Sequence, residues 1–227
     1  MGIWVILPLI IVERYSIIHW VRMGCFDYIA FMSDQSLSVG FIIFDDMELL
    51  DFTGPYELFA ASNEVAGDMF FDLRVYGFQN AHHCYRGPEM VAAQGHYQNG
   101  SASVWVIPGG EGSKFLAAHP NFLEWLQTQF EAGHTIVSIC SGARVLAAAG
   151  LLESQPYTTH PLVVEELVER VPSGKYVSDQ PFVSAQEERI WTTGAVVKGM
   201  EWVLHFLSQY RNDAHLQSLK KYLGWSY

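Results

Sequence analysis

From residue 38 onward, apolar positions follow two alternating rhythms. SVGFIIF (38–44) is a continuous apolar run rich in β-branched and aromatic residues, the pattern of a strand covered on both faces. Acidic residues and the turn TGP follow, and PYELFAASNE then takes helical spacing with Pro55 near its first turn. FDLRVYGF (71–78) predicts a second strand, and the polar tract QNAHHCYRGPEM a loop or irregular edge. SVWVIPGG (103–110) predicts a third buried strand closed by a Pro-Gly-Gly turn. In HPNFLEWLQTQFEAG (119–133), Phe122, Leu123, Leu126 and Phe130 recur at helical spacing and Gly133 marks the stop. HTIVSIC (134–140) reads as a strand and SGARVLAAAGLL (141–152) as a helix. PLVVEELVER predicts a short helix, YVSDQPFVSAQEERIWTTG further strands, and KGMEWVLHFLSQY another helix. Strands alternating with helices imply a doubly wound, mostly parallel α/β sheet, with right-handed crossovers and helices on both faces.

With no internal repeat and no Gly/Ser linker after residue 38, one domain is expected over residues 37–227. Residues 1–36 read differently. Their apolar run GIWVILPLIIV lasts eleven residues before Glu13 and Arg14, short of the ~20 a spanning helix needs. No basic segment precedes it and no small-residue cleavage site follows it, so neither a stable membrane span nor a secretory signal is expected. A surface anchor, a packing arm and an upstream extension of the reading frame remain. The last is preferred, because MSDQSLSVGFIIF from Met32 has the form of a natural start before a first strand.

Half of the 227 residues are apolar, enough for a full core, and the formal charge of -11 argues against a nucleic-acid partner. Cys25, Cys84 and Cys140 are widely spaced with no C-x-x-C pair, which fits a reducing, cytoplasmic setting. Nine histidines form no H-E-x-x-H or similar spacing, so no metal is expected. His82, His83 and His96 read as solvated loop residues. His160 either lines a pocket or satisfies a buried hydrogen bond, the second being preferred. Trp105 and Trp202 read as core. The helix face Met200, Val203, Leu204 and Leu207 reads as packing, within the chain or against another subunit.

Ligands of such sheets sit beyond the carboxyl ends of the strands. Three candidates fall there: Asp51, the Gly109-Gly110 turn, and Cys140. Ser138-Ile139-Cys140-Ser141-Gly142 has the small-x-nucleophile-x-small form of a nucleophile elbow, where strand and helix backbones nearly touch. A thiol there is expected in a sparsely populated backbone conformation, with the helix N-terminus lowering its pKa. The competing reading is a buried core cysteine. The glycines can present N–H groups to an oxyanion, or simply make a turn. Asp51, between Leu50 and Phe52, can be a partly buried proton carrier, or a cap or turn acid bonded to Thr53 or to backbone.

FDDMELLDFTGPYELFAAS, VWVIPGGEGS, VSICSGARVLAAAGLL, YTTH and WTTGAVVKGMEWVL, in that order, resemble the ThiJ/PfpI superfamily and, within it, its isocyanide hydratase branch. The resemblance covers roughly residues 37 to 210 and implies a flavodoxin-like fold. It implies that Cys140 is the reactive residue, that Asp51 hydrogen-bonds to it, and that Ser141 assists. Gly109, Gly110 and Gly142 then border the oxyanion or substrate. The implied chemistry is hydration of an isocyanide to an N-substituted formamide, with no cofactor or metal, on a small apolar substrate in an apolar pocket, in a homodimer. Ser141 stands where protease-like relatives carry His, and His160-Pro161-Leu162 lacks the acid of an amidotransferase His-x-Glu pair. Val197 and Lys198 replace small residues at a segment that borders the site in relatives, and Pro161 replaces an aromatic. The alternatives are a glyoxalase- or deglycase-like enzyme acting on reactive aldehydes, and a non-catalytic ligand or redox sensor. A regulator would need a helix-turn-helix pair for which the short tail past Tyr210 leaves no room.

Overall fold

The computed structural model of the chain describes residues 36–225. The predicted N-terminal extension therefore falls, but for Ser36, outside the described residues, as does Cys25.

The first strand, β1 (Leu37–Ile42), buries its last four residues. It lies beside β2 (Phe71–Tyr76) on one side and β5 (Val104–Ile107) on the other, parallel to both. β6 (Thr135–Ser138) follows β5 in parallel, then β10 (Ile190–Thr193). β9 (Phe182–Ala185) closes the edge antiparallel to β10, giving the order 2-1-5-6-10-9. Every residue of β5 and β10 is buried, which is why these strands are unbroken apolar or Thr-rich runs rather than alternating ones. The expected doubly wound, mostly parallel sheet is what the chain forms. The tract predicted as a loop or irregular edge folds into a small antiparallel pair, β3 (Ala81–His83) with β4 (Glu89–Val91). A second minor pair joins β7 (Pro156–Tyr157) to β8 (Lys175–Tyr176).

The helix after β1 differs from its prediction. It starts before the TGP turn, as α1 (Leu49–Ala66), and carries Pro55 in its interior. Asp51, Phe52, Pro55, Leu58, Phe59 and Ser62 are among the residues buried along it, so tertiary burial outweighs the local breakers. Gly54 has a packing role: a Cβ there would meet the Met200 side chain at 3.0 Å. Met200 belongs to α6 (Val197–Leu207), which lies against α1. Val203 and Leu207 of that face are fully buried within the chain, and Trp105 and Trp202 are core as expected.

Short α2 (Ser113–Leu116) and α3 (Pro120–Glu131) follow β5; His119 caps α3 by accepting from Phe122 N–H at 3.3 Å. The helix after β6 is α4 (Ala143–Ala148), entered through a 3-10 turn over Cys140–Gly142. α5 (Val164–Arg170) follows the TTH segment. The tail past Tyr210 forms α7 (Asp213–Tyr222), capped by Asn212 and anchored by buried Leu219. The core holds Phe41 edge-on to Phe52 at 5.5 Å and Phe59 near Trp202 at 6.3 Å. Each such buried ring contributes roughly 1.5–3 kcal/mol. No helix among the described residues is long and apolar enough to cross a membrane.

Candidate active site

The sheet order makes β1, β5 and β6 consecutive neighbours, so whatever follows their carboxyl ends meets at one point. Asp51 follows β1, Gly109 and Gly110 follow β5, and Cys140 follows β6. The structure brings all of them together.

Cys140 holds φ +58, a left-handed backbone that a non-glycine residue rarely adopts. Neighbouring elements fix it there. Its N–H donates to Gly194 O at 3.1 Å, and its carbonyl accepts from Thr159 Oγ1 at 2.9 Å. The small residues flanking it are a steric necessity: a Cβ on Gly142 would lie 2.5 Å from Ile107 O. The thiol is 6% exposed, at the floor of a cleft of about 340 Å³. Backbone N–H groups of Ser141 and Val196 point at the sulfur. Val196 itself stands at φ +30, ψ -79, a strained pose for a β-branched residue.

Asp51 is wholly buried. It sits in the first turn of α1, not in a turn ahead of the helix, and Thr53 bonds elsewhere, donating to Leu49 O at 3.0 Å. Oδ2 accepts from Gly109 N–H at 3.0 Å. The Cys140 thiol is the side-chain partner of the carboxyl, although Oδ1 makes no well-aligned hydrogen bond. Burial pushes Asp51 up to about 7, against the lowering effect of the Gly109 N–H and of Cys140, with nearby Glu48 adding to the rise.

The thiol corrects an expectation. Burial first, and then the Asp51 charge, push Cys140 up to about 12, against the Ser141 and Val196 N–H groups. A helix end offers only ~0.3–1 kcal/mol to an anion, and α4 is short, so desolvation wins. The resting sulfur at neutral pH is therefore a thiol. One charge is awkward in this pocket and two are worse; the acid and the thiol form a coupled pair.

The glycine N–H groups are already engaged. Gly109 donates to Asp51, and Gly110 donates to Ser141 Oγ at 2.8 Å. Gly142 donates to Ile139 O at 2.8 Å. A Cβ on Gly109 would meet Ser141 N at 2.7 Å and Asp51 Oδ2 at 2.8 Å, so this residue is the spacer between acid and elbow. The N–H groups left for developing charge at the sulfur are those of Ser141 and Val196, and no sequence signal marked the second.

The cleft also differs from the apolar pocket expected. Its lining includes Glu48, Tyr85, Glu111, Lys114, Arg144 and His160. Aromatic residues other than Tyr85 pack away from it, many in the core and in a cluster around Phe78, Tyr97 and Trp125. Arg144 was missed. It is 7% exposed and pairs with Glu166, Nε to Oε2 at 2.8 Å, while Nη1 donates to Ser113 Oγ at 3.2 Å. Ser113 Oγ donates to Gly110 O at 2.7 Å, so the pair braces the glycine turn. A charged residue one turn past the cysteine, amid small apolar neighbours, was the available signal. Val197 is half exposed and Lys198 pairs with Glu201 at 2.7 Å; the cleft residue of that segment is Val196. His160 lines the cleft as well as accepting from Leu162 N–H at 3.1 Å. His82, expected in solvent, is buried; its Nε2 accepts from Phe78 N–H at 3.1 Å. A larger cavity of about 470 Å³ between α1 and β2 holds no nucleophile and lies apart from this chemistry.

The chain belongs to the DJ-1/PfpI family, whose model matches residues 37–209. It is 28% identical to isonitrile hydratase of Pseudomonas putida over 126 residues, 56% of this chain and 53% of that protein. The chain thus spans about half the length of that relative. It is 30% identical over 140 residues to the glutathione-independent glyoxalase DJR-1.2 of Caenorhabditis elegans, 61% of this chain and 72% of that one. The crystal structure of Drosophila melanogaster DJ-1beta superposes with a TM-score of 0.70 at 21% identity, covering 85% of this chain and all of that one, a likeness of fold. The two named enzymes among these relatives carry different activities.

Proposed function

We propose that the protein is a cysteine-dependent hydratase that converts an isocyanide, R–N≡C, to the formamide R–NH–CHO. The observation that carries this reading is a thiol and a carboxyl buried against each other at one strand corner, with the carboxyl poised at about 7. An acid at that value gives and takes protons at neutral pH with little penalty either way. In the first step Asp51 carboxylate takes the thiol proton as Sγ bonds to the isocyanide carbon. The same carbon then receives that proton, leaving a thioimidate, R–N=CH–S. In the second step Asp51 takes a proton from water as its oxygen adds to that carbon, and passes that proton to the nitrogen, leaving R–NH–CH(OH)–S. The C–S bond then breaks as Asp51 carries the remaining hydroxyl proton to sulfur, and the sum is R–NC plus water to R–NH–CHO. The Ser141 and Val196 N–H groups would hold the charge that builds on sulfur. Gly109, Gly110, Gly142 and the Ser141 hydroxyl keep acid and elbow in register.

A second reading, a glyoxalase-like rearrangement of a reactive aldehyde, is supported by the charged lining of the cleft, which suits a polar carbonyl compound. Assaying an alkyl isocyanide beside methylglyoxal separates the two. The hydratase reading expects formamide at a rate well above that of lactate, and lactate alone would overturn it. A homodimer is proposed with it, supported by the apolar groove formed by Leu50, Met200, Leu223 and Trp225. Light scattering should return twice the chain's 25.6 kDa, and a monomer mass would reject the dimer.

A further inference from the structure

We infer that Glu48 sets the charge preference of the Cys140 cleft, favouring a substrate with a protonated amine and disfavouring an anionic one. This deepens the hydratase reading and rests on it only for the group attacked; the substrate class is then an isocyanide bearing an ammonium group. Glu48 is the residue before α1, half-buried, and it lines the same cleft as the thiol. Its backbone is committed: the N–H donates to Gly109 O at 2.9 Å, and the carbonyl accepts from Asp51 N–H at 3.1 Å. Its carboxylate is not. An acid at a helix start ordinarily caps the first turn, and this one makes no capping bond. Among the described residues, no Lys, Arg or His forms an ion pair with it.

The other charges of the lining cancel in pairs. Glu111 and Lys114 meet at 2.6 Å on the exposed rim. Arg144 is neutralised by Glu166 at 2.8 Å and spends a further N–H on Ser113. His160 accepts at Nδ1 from Leu162 N–H, as a neutral ring does. Arg86 stacks over the Tyr85 ring at 4.8 Å and is not part of the lining. What remains is Glu48 in the lining and Asp51, wholly buried beside the thiol with Oδ1 unpartnered. Both are acids. Burial first, and then the Glu48 charge, raises Cys84, and the same charge adds to the burial-driven rise of Asp51. An ammonium beside Glu48 relieves that repulsion, and an anion adds to it.

Two methanethiosulfonates of similar size, 2-aminoethyl and 2-sulfonatoethyl, test this at Cys140 without turnover. Each transfers its thioalkyl group to the sulfur as a mixed disulfide and releases methanesulfinate. Rates are read by peptide mass, which keeps Cys25 and Cys84 apart from Cys140. The aminoethyl-to-sulfonatoethyl rate ratio should exceed that of a free cysteine peptide by about tenfold. One half-exposed carboxylate favours a cation, and disfavours an anion, by about threefold each. Glu48→Gln should remove most of that excess, and Glu48→Asp should keep part of it. Added salt should shrink the excess in the unaltered protein, which tests the inference even if a variant fails to fold. A ratio equal to that of the free peptide, or one moved by neither salt nor Glu48→Gln, would overturn it. Isocyanide turnover without cation preference at the thiol would sink the inference and leave the hydratase; cation preference without turnover would do the reverse.

Discussion

Replacing Cys140 by Ala is expected to lower formamide production by at least about a thousandfold, to the level of chance hydrolysis. The substitution removes the sulfur that would form the covalent bond, together with its contacts to Asp51 and to the Ser141 and Val196 N–H groups, and leaves the backbone bonds at position 140 intact. Gly194 O and Thr159 Oγ1 bond the backbone of position 140, not its side chain. The elbow should therefore keep its shape, and Asp51 should keep Gly109 N–H. Cys140→Ser should fail as well, because a hydroxyl at this site meets the same burial with a weaker nucleophile. Loss of activity with an unchanged circular dichroism spectrum is the expected pair of readings. Activity of Cys140→Ala within tenfold of the original would mean that water is attacked or activated elsewhere.

Asp51→Asn should cost about a hundred- to ten-thousandfold in turnover, the usual worth of a positioned acid–base group. Asn keeps the shape and can still accept from Gly109, but it carries no proton between sulfur and carbon. The pH profile carries the sharper signature. With Asp51 at about 7 and Cys140 at about 12, the reactive form has a carboxylate beside a thiol. The rate should fall about tenfold per pH unit below 7, level off above it, and show no second rise before strongly alkaline pH. Stability follows the opposite course. The folded-state value of Asp51 lies above the unfolded value of about 4, so the folded chain binds the extra proton between the two. That contribution is present below pH 4 and is lost as pH rises through 7, a change on the order of 4 kcal/mol. Asp51→Asn should then be more stable than the unaltered protein at pH 8, with the gap closing toward pH 4. A flat difference between their melting curves across that range would show that Asp51 is an ordinary ionised acid.

Much of this site could be read from the chain because sequence order and sheet order coincide where it matters. The runs ending near Ile42, Ile107 and Ser138 were plain as strands, and their neighbouring positions in the sheet put Asp51, Gly109 and Cys140 in one place. The small residues around Cys140 announced the close approach that Gly142 makes to Ile107 O. What stayed hidden depended on three-dimensional company. LDFTGP looks like a turn because Gly and Pro are local breakers, and it is the burial of this segment, with Met200 packed on Gly54, that carries a helix through it. The thiol's ionisation was misjudged because a helix end is visible in sequence and desolvation is not. His82 looked polar, and its burial follows from the pairing of β3 with β4. Arg144 and Glu166 lie 22 residues apart and meet only across α4 and α5.

The central claim is that sulfur at the corner becomes covalently bonded to the carbon it hydrates, with Asp51 moving the proton. Intact-protein mass, taken by rapid quench during turnover of a small isocyanide, tests this most directly. A species heavier by one whole isocyanide, mapped to Cys140 and disappearing as formamide accumulates, is the predicted result. Formamide accumulating over protein that never gains mass would contradict it.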